Sequence, residues 1–328
     1  MMKKCKGCGI VLQDQNPSKL GYTVDMEKDL CHRCFRIKHY NDYALVSKTE
    51  EEYTKILKEI DEKGELIVFV ADLFLWSSEV VKIIEKLKSP ILLVLSKRDV
   101  MPFSLKEEKI REYVKRFVSV LDVEIISSEK NFHMDSLLEK IERYKRSSYV
   151  YVVGFTNAGK STLINKMIYN YSTNTSEIIT SIMPSTTLDI LEVPLHENLI
   201  LMDTPGLIMP CSMVNFVDGK SLSKILPKKE IHPLMYPLKQ NQFVYIEDLA
   251  SICGSSHLTF YMSNKLSIER SYQNKVDLFP YQKVIKVEKG EDLVIEGLGF
   301  IKVSSKTLIT VYVKYDVSIY TRKTILGG

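Results

Sequence analysis

The chain has 328 residues, enough for two or three domains, and its 45% hydrophobic and 26% charged residues are an ordinary globular composition. A net charge of +4 admits a nucleic-acid partner without demanding one. No apolar run approaches the roughly 18–20 residues of a membrane span, and the N-terminal MMKKCKGCG lacks an apolar signal core, so the expectation is a cytoplasmic chain with no membrane partner, monomer favoured.

In chain order, the first block is residues 1–45. It holds Cys5-x-x-Cys8 and Cys31-x-x-Cys34, with 22 residues between the pairs. Four thiolates in that spacing favour a closed, structural Zn²⁺ site over a redox pair. Lys3, Lys4, Lys6, Arg33, Arg36, Lys38 and His39, with Phe35 and Tyr40 among them, form either an RNA-contacting face or a solvated one.

The second block, 46–211, alternates continuous apolar runs with amphipathic stretches. The runs are Leu66–Ala71, Pro90–Leu95, Val123–Ile126, Tyr149–Val153 and Leu199–Met202; the helical stretches include Ser78–Leu87, Leu105–Leu121 and Met134–Arg146. Strand and helix in alternation predict a doubly wound α/β domain with a covered parallel sheet.

Four short motifs sit at the ends of these strands. Ser96-Lys97-Arg98-Asp99 resembles the NKxD pattern, in which the terminal carboxylate accepts hydrogen bonds from guanine N1 and N2, groups adenine does not present. Ser at the first position has one hydroxyl in place of an amide. Ser127-Ser128-Glu129-Lys130 is a loose match to the SAK loop that supports guanine through backbone N–H groups. Gly154-Phe-Thr-Asn-Ala-Gly-Lys-Ser161 matches GxxxxGK[ST], after a strand and before a helical run, which is the context a phosphate loop requires. Its cofactor-binding set is Gly154, Asn157, Ala158, Gly159, Lys160, Ser161 and Thr162. The glycines let backbone N–H groups converge on an anion, Lys160 reaches the β/γ-phosphates, and Ser161 offers a hydroxyl to Mg²⁺. Asp203-Thr-Pro-Gly206 completes the set, with Asp203 toward Mg²⁺ and the Gly206 N–H toward the γ-phosphate. Between them Pro184-Ser-Thr-Thr187 supplies a threonine, Thr186 or Thr187, to close over the metal and phosphate.

The motif order is base reader, base support, phosphate loop, switch I, switch II (G4–G5–G1–G2–G3), a circular permutation of the usual arrangement. Switch II therefore runs straight into the third block, which predicts nucleotide-controlled movement of that block. The third block, 212–328, reads as mostly β. It has alternating stretches at Lys283–Val287, Asp292–Ile295, Gly299–Val303, Thr307–Val313 and Val317–Thr321, a hairpin turn at Gly297–Gly299, and an irregular lead-in with Pro227, Pro233 and Pro237. Its Phe243, Tyr245, Phe260, Tyr261, Phe279 and Tyr281 are read as core more than as base-stacking platforms.

Together CxGCG at Cys5–Gly9, LGY at Leu20–Tyr22, CHRCFRIKHYN at Cys31–Asn41, the permuted motifs and GLGFIKV at Gly297–Val303 resemble the YqeH-like circularly permuted GTPases of ribosome biogenesis. The resemblance implies an α/β P-loop GTPase domain with an N-terminal zinc finger and a β-rich, RNA-binding-like C-terminal domain. It also implies a part in assembling the small (30S) ribosomal subunit, with rRNA as partner. Leu207 stands where a catalytic Gln is common, and a leucine cannot orient water. By resemblance Asn157 holds K⁺, which stands in for an arginine finger, and intrinsic turnover is slow. The catalytic set is then Asn157, Lys160, Thr186 or Thr187, and Gly206. The alternatives are a GTP-sensing RNA-binding module with negligible hydrolysis and a nucleotide-binding adaptor for a protein or membrane partner.

Overall fold

The computed structural model describes residues 3, 5, 11–15, 22–31, 50–172, 183–184 and 190–326. Cys8, Cys34, Thr186 and Thr187 lie outside the described residues. These divide into two compact units, one of Met1–Arg98 with Val118–Ile208 and one of Asp99–Phe117 with Met209–Gly328.

In the first unit, helix α1 (Glu50–Lys63) leads into β1 (Leu66–Asp72), α2 (Ser78–Lys86) and β2 (Ile91–Ser96). Every residue of β1 and β2 is buried, as expected of parallel strands covered on both faces. The chain returns through β3 (Asp122–Ile125) and the amphipathic α4 (Met134–Tyr144), which buries Met134, Leu137 and Ile141 at helical spacing. β4 (Tyr149–Gly154), α5 (Lys160–Tyr171), β5 (Met183–Pro184), β6 (Leu191–His196) and β7 (Leu199–Asp203) complete the unit. The seven strands lie in the order β3-β2-β1-β4-β7-β6-β5. β1, β2, β3, β4 and β7 run parallel, while β6 pairs antiparallel with β7 and with β5. The strand carrying the phosphate loop is therefore central, between one strand that precedes it in sequence and one that follows.

That placement explains the first residue of the loop. Gly154 lies opposite Val70 in the β1–β4 ladder, and a Cβ there would stand 2.4 Å from the Val70 carbonyl oxygen. Backbone cannot yield as a flexible side chain does. Gly154→Ala is expected to lower stability by about 2 kcal/mol or more through overpacking. Urea unfolding with an unchanged m-value checks this.

The second unit takes in α3 (Glu107–Lys115), which buries Ile110, Tyr113 and Val114. The Tyr113 hydroxyl donates to the Lys323 carbonyl at 2.8 Å. The remainder is one short helix, α6 (Gly219–Ile225), and ten strands. These are β8 (Leu234–Leu238), β9 (Phe243–Ile246), β10 (Ala250–Gly254), β11 (Ser256–Met262), β12 (Ile268–Ser271), β13 (Tyr281–Val287), β14 (Glu291–Ile295), β15 (Gly299–Val303), β16 (Thr307–Val313) and β17 (Ile319–Lys323). They form two five-stranded sheets, β12-β9-β10-β16-β13 and β17-β14-β15-β11-β8, whose inward residues, such as Val244, Ile252, Phe260, Leu293, Ile301 and Val311, make one core. The mostly-β reading holds, and the β14–β15 hairpin turns at Gly297 with φ 79°. The lead-in is irregular around Pro227 and Pro233, apart from a 3₁₀ turn and α6, while Pro237 falls on the edge strand β8, where a missing N–H costs no ladder bond. Of the six aromatics expected in the core, Phe260 and Phe279 are buried, Phe243, Tyr245 and Tyr261 are half-buried, and Tyr281 is exposed on the edge strand β13. Among the described residues no helix is long and apolar enough to cross a membrane.

Candidate nucleotide site

The carboxyl ends of β1, β2, β4 and β7 converge in the first unit, and most of the motif residues ride on them. Between β4 and α5 the backbone passes through the left-handed region at Asn157 (φ 63°) and Gly159 (φ 88°). That reversal turns successive N–H groups toward one side at a helix N-terminus, the arrangement that receives phosphate. Asn157 is an exposed side chain, Ala158 and Lys160 are buried, Ser161 is half-buried in the first turn of α5, and Thr162 is exposed.

Lys160 is tied to switch II. Its ammonium donates to the Asp203 carboxylate and, at 2.6 Å, to the Thr204 carbonyl. Both side chains of the pair are buried, Lys160 at 6% and Asp203 at 0% exposure. The Thr204 hydroxyl donates to the Val152 carbonyl at 2.9 Å, which anchors the turn on β4. The following residues rejoin the phosphate loop. Leu207 N–H donates to Gly154 O at 3.1 Å, Thr156 N–H donates to Leu207 O at 2.7 Å, and Phe155 and Leu207 form a parallel bridge. Gly206 faces Thr156 so closely that a Cβ would stand 3.1 Å from its methyl. Leu207 is therefore buried and held by its backbone, with no polar group to offer a water.

The base-reading loop meets the phosphate loop across 62 residues of sequence. The Ser96 hydroxyl donates to the Ala158 carbonyl (2.5 Å) and lies 3.2 Å from the Ala71 carbonyl. Serine at this position thus braces β2 against the phosphate loop, a task its short side chain suits. Lys97 has φ 59°, uncommon for a side-chain-bearing residue and costing of order 1 kcal/mol. Its ammonium pairs with the Asp72 carboxylate at 2.7 Å, and its Cε lies 3.9 Å from where a Gly159 Cβ would be. The Lys97 stem consequently runs beside the phosphate loop. Asp99 is half-buried in the 3₁₀ turn Arg98–Val100 that follows β2.

Backbone bonds join the base-reading segment to the support loop. Ile126 N–H donates to Leu95 O and Arg98 N–H to Ile126 O, both at 2.9 Å. The 127–132 turn closes with Phe132 N–H to Ser127 O (2.9 Å), and the Ser127 hydroxyl accepts from Lys130 N–H at 3.1 Å. Ser127 and Ser128 are both buried. Asp72, Thr204 and Tyr53 were not found by motif. Asp72 carried the one available signal, an acid at the end of an apolar strand beside the switch point of the sheet.

The chain is 33% identical to YqeH of Bacillus subtilis (strain 168), over 98% of this chain and 99% of that one, a protein described as uncharacterized. It belongs to the YqeH family of circularly permuted GTPases. Residues 149–273 match the family described as 50S ribosome-binding GTPase and residues 75–210 the RsgA GTPase family. Both family matches include the segment from Gly154 to Gly206, and the chain is a GTPase. GTPase Der of Aquifex aeolicus (strain VF5) is 27% identical over 56% of this chain, which spans 45% of that protein. YjeQ from Thermotoga maritima aligns at a TM-score of 0.29 and 16% identity, over 43% of this chain and 48% of that one, too distant to carry an argument.

Proposed function

We propose that this member of the YqeH family hydrolyses GTP in the site between β2, β4 and β7, and uses the nucleotide state to control its binding to the small ribosomal subunit. The observation that carries the reading is the buried Lys160 ammonium held by Asp203 and the Thr204 carbonyl. One lysine there belongs at once to the phosphate loop and to switch II. Arriving β/γ-phosphates compete for that ammonium, so binding loosens Lys160 from switch II. The backbone N–H groups at Asn157, Gly159 and Lys160 cradle the phosphates, and the Gly206 N–H takes the γ-phosphate. Asp99 accepts from guanine N1 and N2, with Ser127 and Ser128 behind the base.

The oxygen donors suit Mg²⁺. Ser161 in the first turn of α5 and the Asp203 carboxylate beside Lys160 are hard ligands, and one of Thr186 and Thr187 joins them. Mg²⁺ when bound neutralises charge on the phosphates. Asn157, exposed and left-handed in the loop, has its amide oxygen available for K⁺, whose positive charge offsets the missing arginine finger. In the N-terminal block the Cys5 and Cys31 side chains are both buried, and Cys31 N–H donates to Cys5 Sγ at 3.2 Å. An amide aimed at sulfur favours the thiolate form, and this supports Cys5, Cys8, Cys31 and Cys34 as a structural Zn²⁺ site.

The family match 149–273 carries a 50S description, while the resemblance of the motifs points to 30S. The test is GTP turnover in K⁺ or Na⁺ buffer, with purified 30S or 50S subunits added or withheld. Turnover is expected to be slow in Na⁺, at least about tenfold faster in K⁺, and further raised by 30S alone. Equal rates in both ions would remove Asn157 from the K⁺ role, and stimulation by 50S alone would overturn the subunit assignment. The locked, apolar Leu207 favours one second reading, a GTP-sensing RNA-binding module. Tight GTP binding with no turnover under any of these conditions is its signature.

A further inference from the structure

Helix α1 brings to the phosphate site a phenol that no motif announces. Its inward stripe is Tyr53, Ile56 and Ile60, at the spacing of one helix face. Tyr53 is among the largest fully buried side chains of the chain, at 1% exposure. Its hydroxyl faces the Gly154 backbone and the Thr204 side chain, with the Asp203 carboxylate nearby. Yet no well-aligned hydrogen-bond partner reaches that hydroxyl among the described residues. Burial, helped by the Asp203 charge, pushes the phenol above its ordinary pKa, so it stays a proton donor.

A buried hydroxyl short of a bond is a costly arrangement and calls for a reason. Here the reason lies in what it faces. Thr204 sits between Asp203 and Gly206. Its carbonyl holds Lys160, and its hydroxyl proton is committed to Val152, so the hydroxyl oxygen keeps accepting capacity toward a donor. Gly154 opens the phosphate loop and accepts from Leu207. The phenol thus stands where the two phosphate-sensing segments meet, on a helix that belongs to neither. We propose that Tyr53 is a positioning residue for GTP hydrolysis: its phenol closes on Thr204 when Lys160 turns to the nucleotide, and this fixes 203–206 against the phosphate loop. Helix α1 follows the cysteine-bearing block directly in the chain. The inference rests on the nucleotide site proposed above.

The experiment is steady-state GTP hydrolysis and thermal unfolding of the full chain, comparing the parent with Tyr53→Phe, Thr204→Val, the double variant and Ile56→Val. Tyr53→Phe keeps the ring and removes only the hydroxyl. It is expected to lower kcat about tenfold, with KM within about twofold and the midpoint moved by no more than about 2 °C. The double variant is expected to be no slower than Thr204→Val alone, since both deletions remove one interaction. Ile56→Val is expected to lower the midpoint and leave kcat at the parent value. The inference is overturned by parental kcat in Tyr53→Phe, by equal slowing in Ile56→Val, or by additive losses in the double variant. GTP binding without turnover in the parent would overturn the hydrolysis on which this inference rests, and absence of GTP binding would overturn the site itself.

Discussion

Lys160→Ala is expected to abolish GTP hydrolysis, with kcat/KM down by about a thousandfold or more, equivalent to about 4 kcal/mol of transition-state binding. The loss has two sources. The β/γ-phosphates lose the one buried ammonium in the loop. Switch II also loses a side-chain tether, because the Lys160 ammonium joins the phosphate loop to both the Asp203 carboxylate and the Thr204 carbonyl. The substitution also removes the Lys160 ammonium from the fully buried Asp203 carboxylate. Breaking a buried pair from one side typically costs about 3–5 kcal/mol, so the nucleotide-free variant is expected to unfold at distinctly lower urea. Lys160→Met, which fills the same volume, is expected to be equally inactive. A variant that kept turnover within about tenfold of the parent would exclude Lys160 from the phosphate site.

Asp99→Asn is the second large effect, and it changes which nucleotide binds. The carboxylate has only acceptors to offer, which match the guanine N1–H and N2–H₂ donors. An asparagine replaces one acceptor by a donor, so it faces the guanine amino group with another N–H. Xanthine carries a carbonyl in place of that amino group and accepts from the new amide. Leaving a buried polar group unpaired accounts for discrimination of several orders of magnitude at sites of this kind. GTP affinity is therefore expected to fall by about a hundredfold or more, while XTP affinity rises.

Much of the first unit was legible because its strands are continuous apolar runs, and such runs in alternation with amphipathic helices have few other solutions. Leu66–Asp72 and Ile91–Ser96 are fully buried, as their composition required. Strand β8 was hidden by Pro237, which read as a breaker, while an edge strand tolerates it. Leu105–Leu121 looked like a helix of the second sequence block. Its period was right, and α3 forms within it, yet Asp99–Phe117 groups with Met209–Gly328. Periodicity shows that a face is buried, and it is silent on which core buries it. Helix α1 carries an equally plain stripe at Tyr53, Ile56 and Ile60, but nothing in the pattern says that the first of these ends beside Thr204.

At the site, the residue types were readable and their partners were not. Ser96 looked like a weakened base-reading residue; adjacency of β2 and the phosphate loop lets its hydroxyl reach Ala158 instead. Lys97 was legible only as the second residue of the NKxD-like pattern. Its stem runs beside Gly159, and Asp72, 25 residues earlier, takes its charge. Each of these contacts joins strand ends that neighbour one another only after the sheet has formed. Local spacing encodes motifs, and long-range register decides what the motifs touch.

The most direct test is equilibrium binding of GTP, XTP and ATP to the parent chain and to Asp99→Asn, in the presence of Mg²⁺ and K⁺. The parent is expected to be guanine-selective, and the variant to have exchanged GTP for XTP with ATP still excluded. A parent that binds ATP and GTP alike, or an Asp99→Asn variant that binds GTP as tightly as the parent, would contradict the assignment of 96–99 as the base-reading loop.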